Sequence, residues 1–447
     1  MCLRKFNNKI SNFKKTKFRL TELPKNNVMK FNTEIKDKLF KRFLITIGII
    51  LFIRLGTFFP VPGIDQRELA SYIESHPNTQ SIVSTFCGDK ALIIGLFSLN
   101  IFPYINASII VQILLGLYPE FSKLQKEGDL EGRRLINRLT RFITLISALG
   151  QSFAASNYLN KILFDWDFYL TINTVIWLTT GAMIIVWLSE LITDYGLGNG
   201  ASLCIFINII SNLPNLTKTL PFINQTTAPI GYDIAISVSI VAALYGIVYL
   251  QEGFRIIPLI SSKQLNQFST QDGFRSDNFL PLRFNQAGVM PIILTTAVLV
   301  APTYASNIGI LPKLPDFLID SKFLSVFYWI GYFLLILVFS SFYSSIVLNP
   351  KDISDQLQKT SVAIAGIRPG IETTFYLKQV MKRTTLVGAM ALATLVTIPN
   401  FLESTLSITN FNGLSSTSLL IIAGIVLDLI REVKNIYFSN IYNNMYQ

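Results

Sequence analysis

Apolar stretches alternate with polar, charged connections along most of the chain. A helix needs roughly 20 predominantly apolar residues to cross a bilayer, and ten stretches are candidates for such spans. They cover residues 43–59, 91–117, 142–159, 170–191, 201–213, 234–250, 289–305, 323–348, 386–399 and 414–430. The pattern predicts an all-α polytopic membrane protein with ten transmembrane helices.

Positive charge lies mainly on one side of the membrane that these spans define. Thirty-one of the 38 Lys and Arg residues fall in the terminal segments and the even-numbered connections, and Arg54 lies inside a span. The opposite side carries the other six, which are Arg67, Lys90, Lys161, Lys218, Lys313 and Lys322. Because positive loops stay on the cytoplasmic or stromal side during insertion, both termini should face that compartment. The net charge of +11 is dispersed over several loops, which favours anionic lipid headgroups or a soluble partner over nucleic acid.

Two spans are interrupted in a way that a passive anchor would not need. Asn100 and Pro103 fall within the second span, so residues 81–99 are predicted to form a separate half-helix, because proline removes a backbone donor. The fifth span has only 13 residues, or roughly 20 Å as a helix against a hydrocarbon core of about 30 Å. Irregular backbone at membrane depth is tolerated where protein or a water-filled cavity covers it. These breaks therefore indicate a cavity or pore.

Apart from Glu190 at the very end of the fourth span, the charged residues inside the spans are Arg54 and Asp428. Arg431 lies one helical turn from Asp428, so we expect the two to pair. A structural role for Arg54 and Asp428 is favoured over a proton or ion relay. An ion-coupled secondary transporter, which also uses broken helices near the midplane, usually buries several facing ionisable groups. The spans of this chain do not show such a set of groups.

The sequence carries no signature of an enzyme or of a metal site. Cys2, Cys87 and Cys204 are scattered, His76 is the single histidine, and no zinc-protease, nucleophile-elbow or Walker A pattern occurs. We expect no metal, no cofactor and no enzymatic activity. The basic segment 1–42 lacks an apolar run or cleavage signal and is interpreted as a retained tail, with Met29 as an alternative start.

Six strings between the spans are specific enough to suggest a family. They are FFPVPGID (58–65), KEGDLEGRRLINRLTR (126–141), ELITDYGLGNGAS (190–202), QEGFRIIP (251–258), LPLRFNQAGVMP (280–291) and AGIRPG (365–370). Together they resemble the SecY family of protein translocase channels, in order and over residues 41–434. The resemblance implies two pseudo-symmetric five-helix halves, 43–231 and 232–430, around an hourglass pore. It also implies that the half-helix over 81–99 is a movable plug and that loops 251–285 and 349–383 project on the basic side before a tail at 431–447.

The resemblance further implies a pore ring at the constriction, formed by Ile101, Ile105, Ala201, Ile205, Ile293 and Ile421. Ile101 with Ile105, and Ala201 with Ile205, are four residues apart and share a helix face. Such a pair taken alone is typical of ordinary core packing. An aliphatic collar excludes water and ions when empty and offers a passing chain no fixed hydrogen bonds. Ala201 is smaller than the aliphatic residue expected, which predicts a looser ring there.

By the same resemblance, Gln112 and Asn285 match polar positions of a lateral gate between spans two and three and spans seven and eight. Ordinary interhelical hydrogen bonding would use the same groups. Arg255 and Arg368 match loop positions linked with docking of a motor or ribosome, and an exposed Arg is also a common topology determinant. Pro369 and Gly370 should fix the turn that presents Arg368. Gly196, Gly198 and Gly200 should form the tight turn into span five.

The family resemblance implies a translocon subunit that conducts unfolded preproteins and releases signal or membrane segments sideways into lipid. Its implied partners are a SecE-like subunit, a SecA-type motor ATPase or a ribosome, preproteins and lipids, without sequence-specific nucleic-acid binding. Frequent Ile, Asn, Lys and Phe, taken with the resemblance, favour a plastid-encoded thylakoid protein over a bacterial plasma-membrane one. The alternatives are an ion-coupled solute transporter and an inactive scaffold.

Overall fold

The computed structural model describes residues 25–65, 94–118, 130–160, 167–217, 230–261, 279–286, 288–296, 298, 322–405 and 416–445. Its first half contains helices α1 (Lys25–Gly56), α2 (Phe102–Leu117), α3 (Leu130–Asn160), α4 (Phe168–Tyr195) and α5 (Gly200–Thr217). Its second half contains α6 (Ile230–Glu252), β1 (Phe254–Ser261), β2 (Phe279–Arg283), α7 (290–296), α8 (Lys322–Val347), α9 (Pro350–Lys359), β3 (Val362–Ile364), α10 (Ile371–Thr405) and α11 (Ser416–Met445).

Each predicted span has a helical counterpart in this order, with α10 and α11 as the ninth and tenth. Several helices continue beyond their apolar stretch on the basic side. There α1 begins at Lys25, α3 begins at Leu130, α10 begins at Ile371 and α11 continues to Met445. Lys, Arg and Glu are good helix formers in water, so these helices need not end where their apolar stretch ends.

Three segments of the described chain are long and apolar enough by themselves to cross a membrane: Phe168–Tyr195, Tyr328–Lys359 and Ile371–Pro399. Large apolar side chains also face outward on helices that do not meet this criterion of length and apolar composition, including Val241 and Val248 on α6. Soluble monomers rarely expose extended apolar surfaces, so these outward faces fit contact with lipid.

The fifth span is longer than its apolar stretch predicts. Helix α5 has 18 residues instead of the 13 expected, or roughly 27 Å at the usual rise per residue. The helix continues past Leu213 through Pro214 to Thr217, and its length still falls slightly short of a hydrocarbon core of about 30 Å.

The break at the front of the second span is confirmed. Asn100 adopts a left-handed backbone with φ of 49°, and its side-chain oxygen accepts a hydrogen bond from the Ile101 amide at 2.8 Å. Helix α2 starts directly afterwards, with Pro103 in its first turn. Residues 94–100 form turns rather than the end of the predicted half-helix, and Gly95 bridges to Pro60. The remainder of that half-helix lies outside the described residues.

The glycine turn before α5 is present, but its three glycines are needed for different reasons. Only Gly198 among the three has a positive φ, of +86°. A Cβ on Gly200 would lie 1.8 Å from the backbone oxygen of Ser189, and one on Gly196 would lie 2.6 Å from Thr46 Oγ1. Close packing of α5 on α4 and of the turn on α1, rather than backbone freedom, therefore requires Gly200 and Gly196.

A small antiparallel sheet accompanies the helices and was not predicted from the sequence. Its strand order is β2-β1-β3, with Arg255 opposite Leu282 and Leu259 opposite Ile364. Strands β1 and β2 come from loop 251–285, whereas β3 comes from loop 349–383. The two basic-side loops are thereby joined into one unit, whose apolar core contains Ile257, Leu259, Leu282, Ile364, Leu377, Val380 and Met381.

Candidate functional site

The described helices of the first half contain a hydrophobic cluster, which we call the N-half cluster. It is built from α1, α2, α4, α5 and the turn before α2, and its buried members are Ile53, Phe97, Ile101, Ile105, Ile185, Val186, Leu188, Ala201 and Cys204. Ile101 is 1% exposed, and its carbonyl accepts the Ile105 amide at 3.1 Å. The expected i, i+4 relationship of these two residues is confirmed, and both side chains point into the same cluster.

The second half contributes the C-half cluster, built from α6, α7, α8, α10 and α11. Its buried members are Ala243, Ile247, Leu250, Val289, Ile292, Tyr332, Ile336, Leu392, Ala393, Val396, Leu420, Ile421 and Ile425. Ile421 is the member that the sequence assigned to the pore ring.

The two clusters meet at Ile205 on α5 and Ile293 on α7. Both side chains are half-buried, and both pack against the N-half and the C-half cluster. We call this contact the seam. The six residues assigned to the ring therefore lie in the two clusters that share the seam: three in the N-half cluster, one in the C-half cluster and two in the seam itself. Apolar side chains fill the seam, which is the arrangement needed to exclude ions from a closed constriction.

The two gate residues make different contacts. Asn285 is buried, and its Nδ2 donates to the carbonyl of Gly288 at 2.9 Å, so it holds the turn that leads into α7. The amide of Gln112 on α2 instead interacts with the hydroxyl of Tyr343 on α8. Its Oε1 is buried and has no hydrogen-bond partner within the described parts of the chain.

Tyr343 was missed from the sequence, as was the polar network beside it. The Ser344 hydroxyl lies 2.7 Å from the Thr385 hydroxyl and donates to Gln286 Oε1 at 3.0 Å, which connects α8, α10 and the turn before α7. The signal that could have found these groups is SSFYSS at residues 340–345, a polar run inside an otherwise apolar span. Polar groups in a span usually face other helices rather than lipid.

Both docking candidates lie on the unit formed by the two basic-side loops. Arg255 is exposed on β1, and Arg368 is exposed in the turn that follows β3. Positive φ values at Gly366 and Gly370 shape that turn. The carbonyls of Arg368 and Gly370 accept hydrogen bonds from Thr373 Oγ1 at 2.8 Å and Ser354 Oγ at 2.9 Å. These bonds fix the backbone that presents Arg368, in keeping with the expected role of Gly370.

Charges near the membrane boundary are paired in both halves. Arg141 on α3 and Glu190 on α4 form a two-point ion pair with N–O distances of 2.9 and 2.6 Å. The hydrogen bonding of the Arg141 guanidinium to the Glu190 carboxylate raises the pKa of Arg141. The predicted pair on α11 is confirmed, since Arg431 Nη1 lies 3.1 Å from Asp428 Oδ1. The guanidinium of Arg54 stands 5.9 Å from the centre of the Phe58 ring, a cation–π distance.

These features define a class: a polytopic helical membrane protein whose two halves meet at an apolar seam, with a folded loop unit on the basic side. The SecY family model matches residues 95–430, and the SecY translocase subunit of Trieres chinensis is 56% identical over 421 residues, covering 93% of this chain and 99% of that protein. The chain belongs to the SecY family.

Solved structures support the same fold. A SecY structure concerned with the plug domain and the closed channel has a TM-score of 0.66 at 18% identity, covering 90% of this chain and 93% of that one. Sec61 from a canine ribosome-channel complex has a TM-score of 0.59 at 18% identity, with the same coverage. The chain is accordingly a channel subunit of a protein translocase, and the solute-transporter alternative is not favoured.

Proposed function

We propose that Ile101, Ile105, Ala201, Ile205, Ile293 and Ile421 form the constriction through which this subunit conducts unfolded preproteins. The observation that carries the proposal is the seam, in which Ile205 and Ile293 pack against the clusters of both halves. A lining of aliphatic side chains closes against ions by excluding water, and it yields to an extended chain because it offers no fixed hydrogen bonds. Parting of the halves at the seam opens such a constriction without breaking a strong polar contact.

The two halves, 43–231 and 232–430, are proposed to move as the units that part, with residues 81–99 as the plug. The N-half and C-half clusters, which meet at the seam, support this division. Asn100 supports the plug boundary, because its left-handed backbone separates residues 94–100 from α2. The segments 1–42 and 431–447 are proposed as tails on the basic side, into which α1 and α11 extend.

The lateral gate is proposed to lie between α2 and α3 on one side and α7 and α8 on the other, with Gln112 and Asn285 at its polar positions. Support comes from the interaction of Gln112 with Tyr343, which joins a helix of the first half to a helix of the second. Asn285 is proposed to act on the other side of the gate by holding the start of α7. Interhelical polar contacts in membranes are worth about 0.6 kcal/mol on average, weak enough for a gate that must open.

The loop unit is proposed to dock the partner that drives translocation, with Arg255 and Arg368 as contacts. Both side chains are exposed on a folded surface rather than on free loops. The similarity to a Sec61 chain from a ribosome-channel complex supports a ribosome as one partner. A SecA-type motor ATPase and a SecE-like subunit are the other proposed partners. The chain performs no chemistry itself in this proposal, so the energy comes from the partner.

The membrane proposed for this subunit is the thylakoid, with a bacterial plasma membrane as the alternative. Relatives from Porphyra purpurea and from the cyanobacterium Synechococcus elongatus support a photosynthetic lineage. The basic side, which carries both termini and the loop unit, would then face the stroma.

Reconstituted vesicles test the function directly. Vesicles containing this subunit with its SecE-like partner should import a radiolabelled preprotein when the motor and ATP are added, and a protease outside should not digest the imported fraction. An ion gradient without the motor should drive no uptake of amino acids, sugars or nucleobases. Gradient-driven solute uptake without preprotein import would instead support the transporter alternative. If the vesicles show neither preprotein import nor solute uptake, the scaffold alternative is supported.

A further inference from the structure

A group of polar residues lies where the loop unit meets the helices that carry Ile293 and Ile421. It consists of Gln251 at the end of α6, Arg283 at the end of β2, Gly288 before α7, and Asp428 and Arg431 on α11, and we call it the junction. Gln251 and Arg283 flank the β1–β2 hairpin at its two ends, so the junction lies at the base of the hairpin that bears Arg255.

Arg431 is the centre of this group. Its Nη2 donates a hydrogen bond to the backbone carbonyl of Gln251, and its Nη1 pairs with Asp428 Oδ1 at 3.1 Å. The last carbonyls of a helix have no partner within the helix, and a cation there also interacts favourably with the helix dipole. The planar fork of Arg can satisfy a carbonyl and a carboxylate together, which the point charge of Lys cannot do.

The other members surround this pair. Arg283 acts electrostatically on both Asp428 and Arg431, and Glu252 acts on Arg431. Asp428 Oδ2 lies beside Gly288, 3.7 Å from the position that a Cβ would take. The α6 end, the β2 end, the α7 start and α11 therefore meet around two side chains.

Tight packing next to the junction connects it to the parts of α11 and α7 that bear Ile421 and Ile293. A Cβ on Gly424 of α11 would lie 2.1 Å from Val289 Cγ2 and 3.0 Å from Gln251 Nε2, so α11 packs closely against the start of α7 and the end of α6 there. Ile421 lies two helical turns from Asp428 on the same face of α11, about 10 Å along the axis. Ile293 lies on α7, five residues after Gly288.

We propose that Arg431 and Asp428 are positioning residues that couple the docking loop to the two ring helices of the second half. A load applied to the hairpin is transmitted through the Gln251 carbonyl and Arg431 to α11, and through Asp428 to the start of α7. The inference rests on the proposed function, because it assigns a mechanical role within the proposed constriction. It differs from docking itself: Arg431 is partly buried at the hairpin's base, with its side chain 20% exposed.

The test separates docking from its effect on the channel. Arg431→Gln, Arg431→Lys and the matched control Lys434→Gln, an exposed residue on the next turn of α11, are reconstituted with the SecE-like subunit. The motor concentration for half-maximal preprotein import and the maximal import rate are then measured separately, at equal amounts of folded channel. Arg431→Gln should lower the maximal rate about tenfold, the size expected for loss of charged hydrogen bonds, and leave the half-maximal concentration within about twofold.

Each outcome bears on the inference. Arg431→Lys should fall between wild type and Arg431→Gln, because it keeps the charge and loses the fork, and Lys434→Gln should match wild type. A variant Arg431→Gln that behaves as Lys434→Gln, or that raises the half-maximal concentration as much as it lowers the rate, would overturn the coupling role. Failure of the wild-type channel to import preprotein would count against the proposed function instead, so the two failures are distinguishable.

Discussion

Ile205 on α5 and Ile293 on α7 come from opposite halves of the chain, and each packs against the hydrophobic clusters of both halves. In the proposed constriction, this apolar contact holds the closed state. Opening costs the exposure of apolar area, at roughly 25 cal/mol for each Å² that becomes wet. That cost is recovered in part when the apolar segments of a translocating chain enter the gap.

Replacing Ile205 by Ser should make the empty channel leak. The substitution removes a half-buried side chain, whose burial is worth about half of the 1.5–3 kcal/mol of a fully buried one, and each 1.4 kcal/mol lost from the closed state raises the open population tenfold. The single-channel open probability for chloride in planar bilayers should rise by roughly three- to tenfold. Ile210→Ser is the matched control, because Ile210 lies on the same helix and is 37% exposed. Equal conductance in the two variants would contradict a sealing role for Ile205.

Weakening the contact between Gln112 and Tyr343 should favour lateral opening. Tyr343→Phe removes the hydroxyl that interacts with Gln112, and the contact should be worth about 0.6 kcal/mol and at most about 1.7 kcal/mol. Fluorescence energy transfer between dyes on α2 and α8 should show roughly threefold more of the open gate. Tyr328→Phe removes the hydroxyl of a tyrosine that is 50% exposed on the same helix and should have no effect. An unchanged gate in both variants would remove Tyr343 from the gate.

Arg368 should contribute directly to docking. Arg368→Gln should weaken binding of the motor to the channel about tenfold or more, since a hydrogen bond to a charged group contributes about 1.5–3 kcal/mol. Binding is measured by thermophoresis of labelled motor with channel in nanodiscs. Lys351→Gln on α9 is the control, an exposed cation in the same loop. If both variants lose affinity equally, general positive charge rather than Arg368 accounts for docking.

The ion pair between Arg141 and Glu190 should contribute modestly to stability. Glu190→Gln should lower the free energy of unfolding by about 0.5–1 kcal/mol, because the Arg141 side chain is 55% exposed and solvent screens the pair. The hydrogen bond raises the pKa of Arg141. A raised pKa gives stability that is present below the unfolded value and lost only above the folded one, so moderately alkaline pH should not weaken the pair. Thermal unfolding of wild type and Glu190→Gln is compared at several pH values, with Arg138→Gln as an exposed control. If the stability difference between wild type and Glu190→Gln disappears by pH 9, the prediction is contradicted.

Local chemistry made several features predictable from the sequence. The break at Asn100 follows from a proline three residues later, and the pairing of Asp428 with Arg431 follows from one turn of helix. Alternating apolar stretches and one-sided positive charge were sufficient for the all-α membrane architecture, because insertion depends on those two quantities. The pore ring and docking residues came from the family resemblance, and their roles stay predictions.

Features that depend on distant parts of the chain could not be predicted in this way. Strand β1 pairs with the edge strand β3 in the other basic-side loop, as in the pairing of Leu259 with Ile364, and no short pattern in either segment indicates that contact. The length of α5 was underestimated because the apolar stretch ends at Leu213 while the backbone hydrogen bonding continues. Tyr343 was missed because its partner Gln112 belongs to the other half of the chain.

The most direct test of the constriction is a photo-crosslinking measurement with a stalled preprotein. A photoreactive amino acid at Ile105, which is 6% exposed in the N-half cluster, is compared with one at Ile110, which is 45% exposed on another face of α2. A preprotein arrested midway by a folded carboxyl-terminal domain should crosslink strongly at position 105 and weakly or not at all at position 110. Crosslinks at position 110 with none at position 105 would contradict a translocation path through the seam.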